Sequence, residues 1–141
     1  MSSAPSPNRV LLSAAGSGKT TLLVRQALER PGRRIAIVTY TLENLEEIRR
    51  SFEVHAGAVP VHVTLHSWYG FLLCQCIRPY QAALCPEPRI ETILFVEGVT
   101  NNRAPRTQVA RHYLAGNRMY SDRAADFAVR CDELTQGQVM A

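Results

Sequence analysis

The sequence predicts an α/β fold: a partial parallel sheet with flanking helices, followed by a mostly helical second half. Three observations predict it. Over the first half of the chain, apolar runs alternate three times with segments of helical periodicity, the order expected of strands and helices in a parallel sheet. A small-residue loop, Ala14-Ala15-Gly16-Ser17-Gly18-Lys19-Thr20-Thr21, joins the first apolar run to the first helical segment. Hydrophobic residues make up 46% of the 141 residues and charged residues 20%, which supplies a packed core and argues against wholesale disorder.

Taken in order, Val10 to Leu12 read as a short buried strand, and a helix follows over residues 19–30 with Leu22, Leu23, Gln26 and Ala27 on one face. Pro31-Gly32 ends it. Residues 35–40 are rich in branched apolar side chains and bounded by turn signals, the mark of a strand buried on both faces. Thr41 or Asn44 caps a second helix over residues 42–52, with Leu45, Ile48 and Phe52 facing inward. Residues 59–64 form a third strand, with Pro60 near its start where a missing N–H is tolerated. Ser67 caps a third helix over residues 68–77.

The pattern changes after residue 78. Pro86, Pro88 and Pro105 surround one apolar run, residues 90–96, whose periodicity is ambiguous. Helical segments follow near residues 107–114 and 121–134, with Ser121 as N-cap and Asp122 in the first turn. Six arginines between residues 101 and 130, against Asp122 and Asp126, read as a solvated helix surface.

Residues 1–8 are a polar, Pro-rich tail, expected to be disordered and without a signal-peptide core. No apolar run approaches a membrane span. A soluble, cytoplasmic protein with no membrane partner is the expectation, and the net charge of +4 permits a polyanion partner without establishing one. Cys74, Cys76, Cys85 and Cys131 fit no common zinc spacing and read as buried reduced thiols.

The loop carries the chemistry. It matches the phosphate-loop pattern G-x-x-x-x-G-K-[ST] except that Ser13 stands at the first glycine. Gly16 and Gly18 permit backbone conformations that turn successive N–H groups toward a phosphate. The helix N-terminus adds partial positive charge. Lys19 is positioned to reach the β- and γ-phosphates of ATP, and the Thr20 hydroxyl to ligate Mg²⁺. Of sixteen basic residues Lys19 is the only lysine; the others are arginine. Residues 14–21 are therefore the expected nucleotide-binding set.

Three motifs in order resemble one family, the UvrD/Rep-type superfamily 1 DNA helicases: Ala14 to Thr20; Val38-Thr39-Tyr40-Thr41 with Glu47 and Arg49 beyond; and Val63-Thr64-Leu65-His66-Ser67 with Trp68 and Leu72-Leu73 beyond. The resemblance covers about residues 9–77. It implies a RecA-like phosphate-loop NTPase segment over 9–77 and the start of a helical insertion over 78–141. It also implies ATP and Mg²⁺ as cofactors, and single-stranded DNA held by Tyr40, Thr41, Thr64, His66 and Ser67. An aromatic at the position of Tyr40 stacks on a base, and every base offers a π-face.

The chain also departs from that family. Leu42 and Glu43 stand where members usually carry Asn and Lys. A helicase of this type needs a strand ending in Asp-Glu and arginines from a second domain. Asp132-Glu133 is the available acidic pair, and it follows a segment of helical spacing interrupted by Arg130, so it is rejected. The expectation is therefore the amino-terminal, ATP-binding part of a helicase, cut inside the insertion after the third motif. No catalytic residue is assigned, and the rest of the helicase or another subunit is needed for activity. Two other readings stand beside it: a stand-alone, non-hydrolysing nucleotide-binding or regulatory module, and a small phosphate-loop kinase. The kinase is disfavoured because the second strand ends without an acid.

Overall fold

A computed structural model describes residues 10–12, 14 and 16–139. Helix α1 (Lys19–Leu28) leads through a turn into strand β1 (Ile35–Thr39). Thr41 is extended, and its hydroxyl accepts a hydrogen bond from the Asn44 N–H at 3.2 Å, so it starts α2 (Leu42–Ala56) as a side-chain cap. Gly57 ends α2 at φ 78°, its N–H donating to Glu53 O. Strand β2 (Val63–Ser67) then pairs parallel with β1, Ile35 opposite Val63 and Thr39 opposite Ser67.

A first core forms where Val24 and Ala27 of α1 and Ile48 and Phe52 of α2 meet Ile37 and Val63 of the strands. Burying each large apolar side chain of this kind contributes about 1.5–3 kcal/mol. The core lies on one face of the two-stranded sheet, and burial along β1 alternates, with Ala36 and Val38 exposed. The expected burial on both faces is corrected, because the core side chains of α1 and α2 lie on the same side of the strands. The face of α1 that enters the core is Val24 and Ala27, while Leu22, Leu23 and Gln26 stay exposed.

Val10 to Leu12 form no strand; Val10 is 86% and Leu12 90% exposed. A strand exists through its partners, and among the described residues β1 pairs with β2 alone. Strand β2 starts four residues later than expected. Pro60 accepts the Val63 N–H at its carbonyl in a tight turn, which holds Val61 fully in solvent.

Helix α3 (Trp68–Phe71) runs on as a wider π-helical stretch, Leu72–Ile77, with the Arg78 N–H donating to Leu73 O at 3.0 Å. This stretch buries Leu72, Leu73, Cys76 and Ile77 in a second core. Beyond it the chain is not mostly helical. Strand β3 (Thr92–Leu94) pairs parallel with β5 (Arg118–Tyr120), and β4 (Leu114–Ala115) pairs antiparallel with β5. Between β3 and β4 lies the short helix α4 (Val109–Tyr113). The β4–β5 hairpin turns on Gly116-Asn117, with Gly116 at φ 66°, a short-hairpin signal that lies in plain view in the sequence.

Helix α5 (Ala124–Leu134) closes the second core with Phe127, Ala128 and Cys131. Ser121 does not cap α5. It is buried in the 3-10 turn Ser121–Arg123, and its hydroxyl accepts the Val96 N–H at 3.1 Å. The Asp122 carboxylate likewise accepts the Thr100 N–H at 2.8 Å. Both side chains anchor the irregular segment after β3 and are not available to start the helix. No helix among the described residues is long and apolar enough to cross a membrane.

The Pro-rich segment owes its shape to Gln81. Its side chain is buried, donates to Cys85 O at 3.2 Å and Pro88 O at 3.4 Å, and accepts the Ile90 N–H at 3.0 Å. Gln81→Leu keeps the volume and strands these groups. It is expected to destabilise the fold by about 1–3 kcal/mol, read from the urea midpoint at unchanged slope.

Candidate nucleotide and nucleic-acid site

Gly16 and Gly18 adopt φ 74° and 79°, the left-handed region that side chains avoid. Nothing lies within 4 Å of the place a Cβ would occupy at either position. Glycine is therefore required there by backbone conformation and not by crowding. Gly18 is the N-cap of α1 and accepts the Leu22 N–H at 2.9 Å, and the N–H groups of the first turn have no acceptor within the helix. The Lys19 ammonium folds back across the loop and donates to Ala14 O at 2.6 Å, with Ser17 Oγ at 3.5 Å. Ser13 and Ala15 lie outside the described residues.

The loop forms one wall of a cleft of about 680 Å³. Gly16 to Thr21 line that wall, Thr39 lines it at the end of β1, and Asn44 and Glu47 line it from α2. Thr20, Thr39, Asn44 and Glu47 all line this cleft and carry hydroxyl, amide and carboxylate oxygens, the class of donor a Mg²⁺ ion takes. The residues present thus fit the metal. Lys19 is the cation on this wall, and no arginine lines it among the described residues.

The second and third motifs meet at the ends of the parallel strands. Tyr40 is 72% exposed and stands edge-on to Tyr69, ring centroids 6.4 Å apart. Tyr69 stands edge-on to Phe95 at 5.1 Å, and Phe95 is 69% exposed. An aromatic row thus links the end of β1 to the segment after β3. The Tyr69 phenol is raised above its ordinary pKa, first by burial and then by the neighbouring Tyr40. Thr41 and Ser67 sit at the strand ends, but both hydroxyls act as caps, Ser67 accepting the Gly70 N–H at 3.2 Å. A Cβ at Gly70 would meet Ser67 Oγ at 2.9 Å, so that cap is tight.

Thr64 lies three residues short of the strand end, opposite Ala36, roughly 10 Å back along β2. It shares the open sheet face with His66, opposite Val38, whose ring meets Phe71 at 6.1 Å. Tyr40 and Ser67 are therefore brought to one end, and Thr64 is not. Sequence reasoning missed Tyr69 and Phe95. Tyr69 lies inside a helical pattern, and Phe95 lies in a run without clear periodicity.

Four of the six arginines between residues 101 and 130 make internal contacts. Arg123 donates to Asn102 O at 2.6 Å and to His112 O, and Arg106 pairs with Asp126 at 2.8 Å. Arg111 donates to Gln108, and the Arg130 guanidinium lies 5.9 Å from the Tyr113 ring centroid. Arg123 and Arg130 are only part-exposed, so this cluster is more than a solvated surface. Asp132 and Glu133 lie in the last turn of α5.

All four cysteines are free thiols; Cys74 is exposed, which corrects the expectation that all are buried. Residues two apart on a helix face different ways, and Cys76 takes the core side. Burial pushes the Cys131 thiol up to about 11, as for an inert core thiol. No cluster of three or more His, Cys, Asp or Glu side chains that could hold a metal ion occurs among the described residues. Compared with protein-family models, curated proteins and solved structures, the chain matches none.

Proposed function

We propose that the chain is the ATP-binding part of a UvrD/Rep-like ATP-dependent DNA helicase. In this reading it holds ATP with Mg²⁺ through Gly16 to Thr21 and single-stranded DNA at the strand ends. The observation that carries the nucleotide reading is the pair of left-handed glycines opening α1, with Lys19 and Thr20 on the wall of one cleft. The N–H groups of that first turn, which have no acceptor within the helix, receive phosphate oxygens. Lys19 exchanges Ala14 O for the β- and γ-phosphates, and Thr20 offers its hydroxyl to Mg²⁺. The metal, when bound, neutralises phosphate charge.

The exposure of Tyr40 and its place at the end of β1 support base stacking. Single-stranded DNA crossing there meets a π-face that accepts any base. A second reading, a module that holds nucleotide without turnover, is favoured by the described residues offering no carboxylate pair at a strand end and no arginine in the cleft.

Lys19→Ala is expected to abolish most affinity for a fluorescent ATP analogue while leaving the thermal melt close to that of the parent, because Lys19 is exposed and bonds mainly within its own loop. Equal affinity of the two proteins refutes the nucleotide site.

Tyr40→Ala is expected to weaken single-strand binding by about 1–3 kcal/mol whatever the base sequence. Tyr40→Phe should be nearly silent. Fluorescence anisotropy with homopolymeric oligonucleotides measures both, and unchanged binding by Tyr40→Ala removes Tyr40 from the site.

Phosphate release by this chain alone, with or without single-stranded DNA, is expected far below ~1 s⁻¹, the low end of ordinary turnover. An arginine delivered to the transferring phosphate is worth about 10³–10⁵ in rate, and the cleft holds none among the described residues. DNA-stimulated release at or above that rate, lost in Lys19→Ala, contradicts this.

A further inference from the structure

Glu47 is the one carboxylate on the cleft wall among the described residues. It stands on α2 one residue before Ile48, whose burial in the first core fixes this turn of the helix against α1 and the strands. Its neighbour Glu46 is paired with Arg49 at 3.6 Å. The Glu47 carboxylate makes no hydrogen bond or ion pair with the described residues. The cleft lined by the Gly16–Thr21 loop thus has a negative charge in its lining, contributed by α2.

With nothing between them, a carboxylate and a triphosphate repel, and the repulsion grows where water is partly excluded. A divalent cation between them reverses the sign. Mg²⁺ is commonly held by one or two carboxylates together with substrate phosphates. The neighbouring oxygens of Thr20, Thr39 and Asn44 are of the right class.

We propose that Glu47 is a metal-positioning carboxylate that holds Mg²⁺ on nucleotide bound in the cleft, so that the site selects Mg²⁺-loaded nucleoside triphosphate over the metal-free form. The proposal rests on the nucleotide reading above and adds a ligand from α2 that the phosphate loop does not contain. It also explains how Glu47 is compatible with a phosphate site, since its charge then serves the cation.

The test uses the full chain and a fluorescent ATP analogue, titrated in excess Mg²⁺ and in EDTA. The parent is expected to bind at least tenfold more tightly with Mg²⁺. Glu47→Gln should lose most of that ratio, with affinity in EDTA unchanged or increased. Glu47→Asp, which keeps the charge on a shorter stem, should retain part of it. With Mn²⁺ in place of Mg²⁺, the electron paramagnetic resonance signal of nucleotide-bound metal should weaken in Glu47→Gln. Glu47 is exposed on α2, so the helix and the melt should be preserved.

A Mg²⁺-to-EDTA ratio unchanged in Glu47→Gln overturns the proposal and leaves the nucleotide site standing. Equal tightening in both buffers also overturns it, showing a plain repelling charge. If the parent binds no nucleotide in either buffer, the nucleotide reading itself falls and takes this one with it.

Discussion

Ile35 lies opposite Val63 and Thr39 opposite Ser67, in a parallel pairing that fixes where the candidate ligand groups sit. In a parallel pair both strands end at the same edge, and each must be followed by a connection that turns away from it. Here both turns are made by a capping hydroxyl, Thr41 for α2 and Ser67 for α3. Two helix N-termini and the Tyr40 ring therefore emerge side by side. The same pairing presents one face to α1 and α2, which places the Gly16–Thr21 loop beside Asn44 and Glu47. A one-residue slip between the strands would turn Ile37 or Val63 out of the first core, and the cleft wall would move with it.

The two cores are joined by a single continuous run, Trp68–Phe71 and Leu72–Ile77. It begins at the end of β2 and buries its side chains in the second core. Leu72, Leu73, Cys76 and Ile77 of the π-helical stretch are all buried on the core side. Because the run starts at Ser67 and Tyr69 reaches both Tyr40 and Phe95, the nucleic-acid candidate surface is shared between the cores. It depends on the second one as much as on the first.

How much of this is legible in the sequence follows from which forces act locally. The left-handed glycine turn before α1, α1 itself, β1 and the Thr41 and Ser67 caps were readable, because glycine conformation, capping and branched-residue runs are encoded within a few residues. The edges of elements set by distant partners were not. Val10 to Leu12 has strand composition but no strand partner among the described residues, and Leu22 and Leu23 have helix periodicity but stay outside the first core. Those residues line an apolar gap beside Val10 and Leu11, open surface of the kind that promotes association. In the second half, the Gly116-Asn117 hairpin signal was present but lay between two helical patterns. Gln81, which organises the Pro-rich segment, gives no periodic signal at all. Within the site, Glu47 was visible as part of a motif, but its place on the cleft wall depends on how α2 packs against α1.

The division of labour between lysine and arginine has a physical reason in the structure. Arginine's planar fork suits pairs of acceptors. Arg78 donates to Ile90 O at 3.1 Å and to Glu91 O, and Arg123 ties Asn102 O to His112 O. Each guanidinium thereby binds two points of irregular backbone in the second half, where there is little regular ladder to hold it. The same fork at position 19 would hold two loop acceptors at once and would be slow to leave them. Lys19 instead is a compact charge on a flexible stem, resting on Ala14 O beside Ser17 Oγ. On the proposed nucleotide reading, a phosphate would take the ammonium from a neutral carbonyl; both bonds have a charged donor, and the gain is the added Coulomb attraction of the anion. In a chain that otherwise uses arginine throughout, position 19 thus carries the one cation with no planar fork, whose contacts can be remade one at a time.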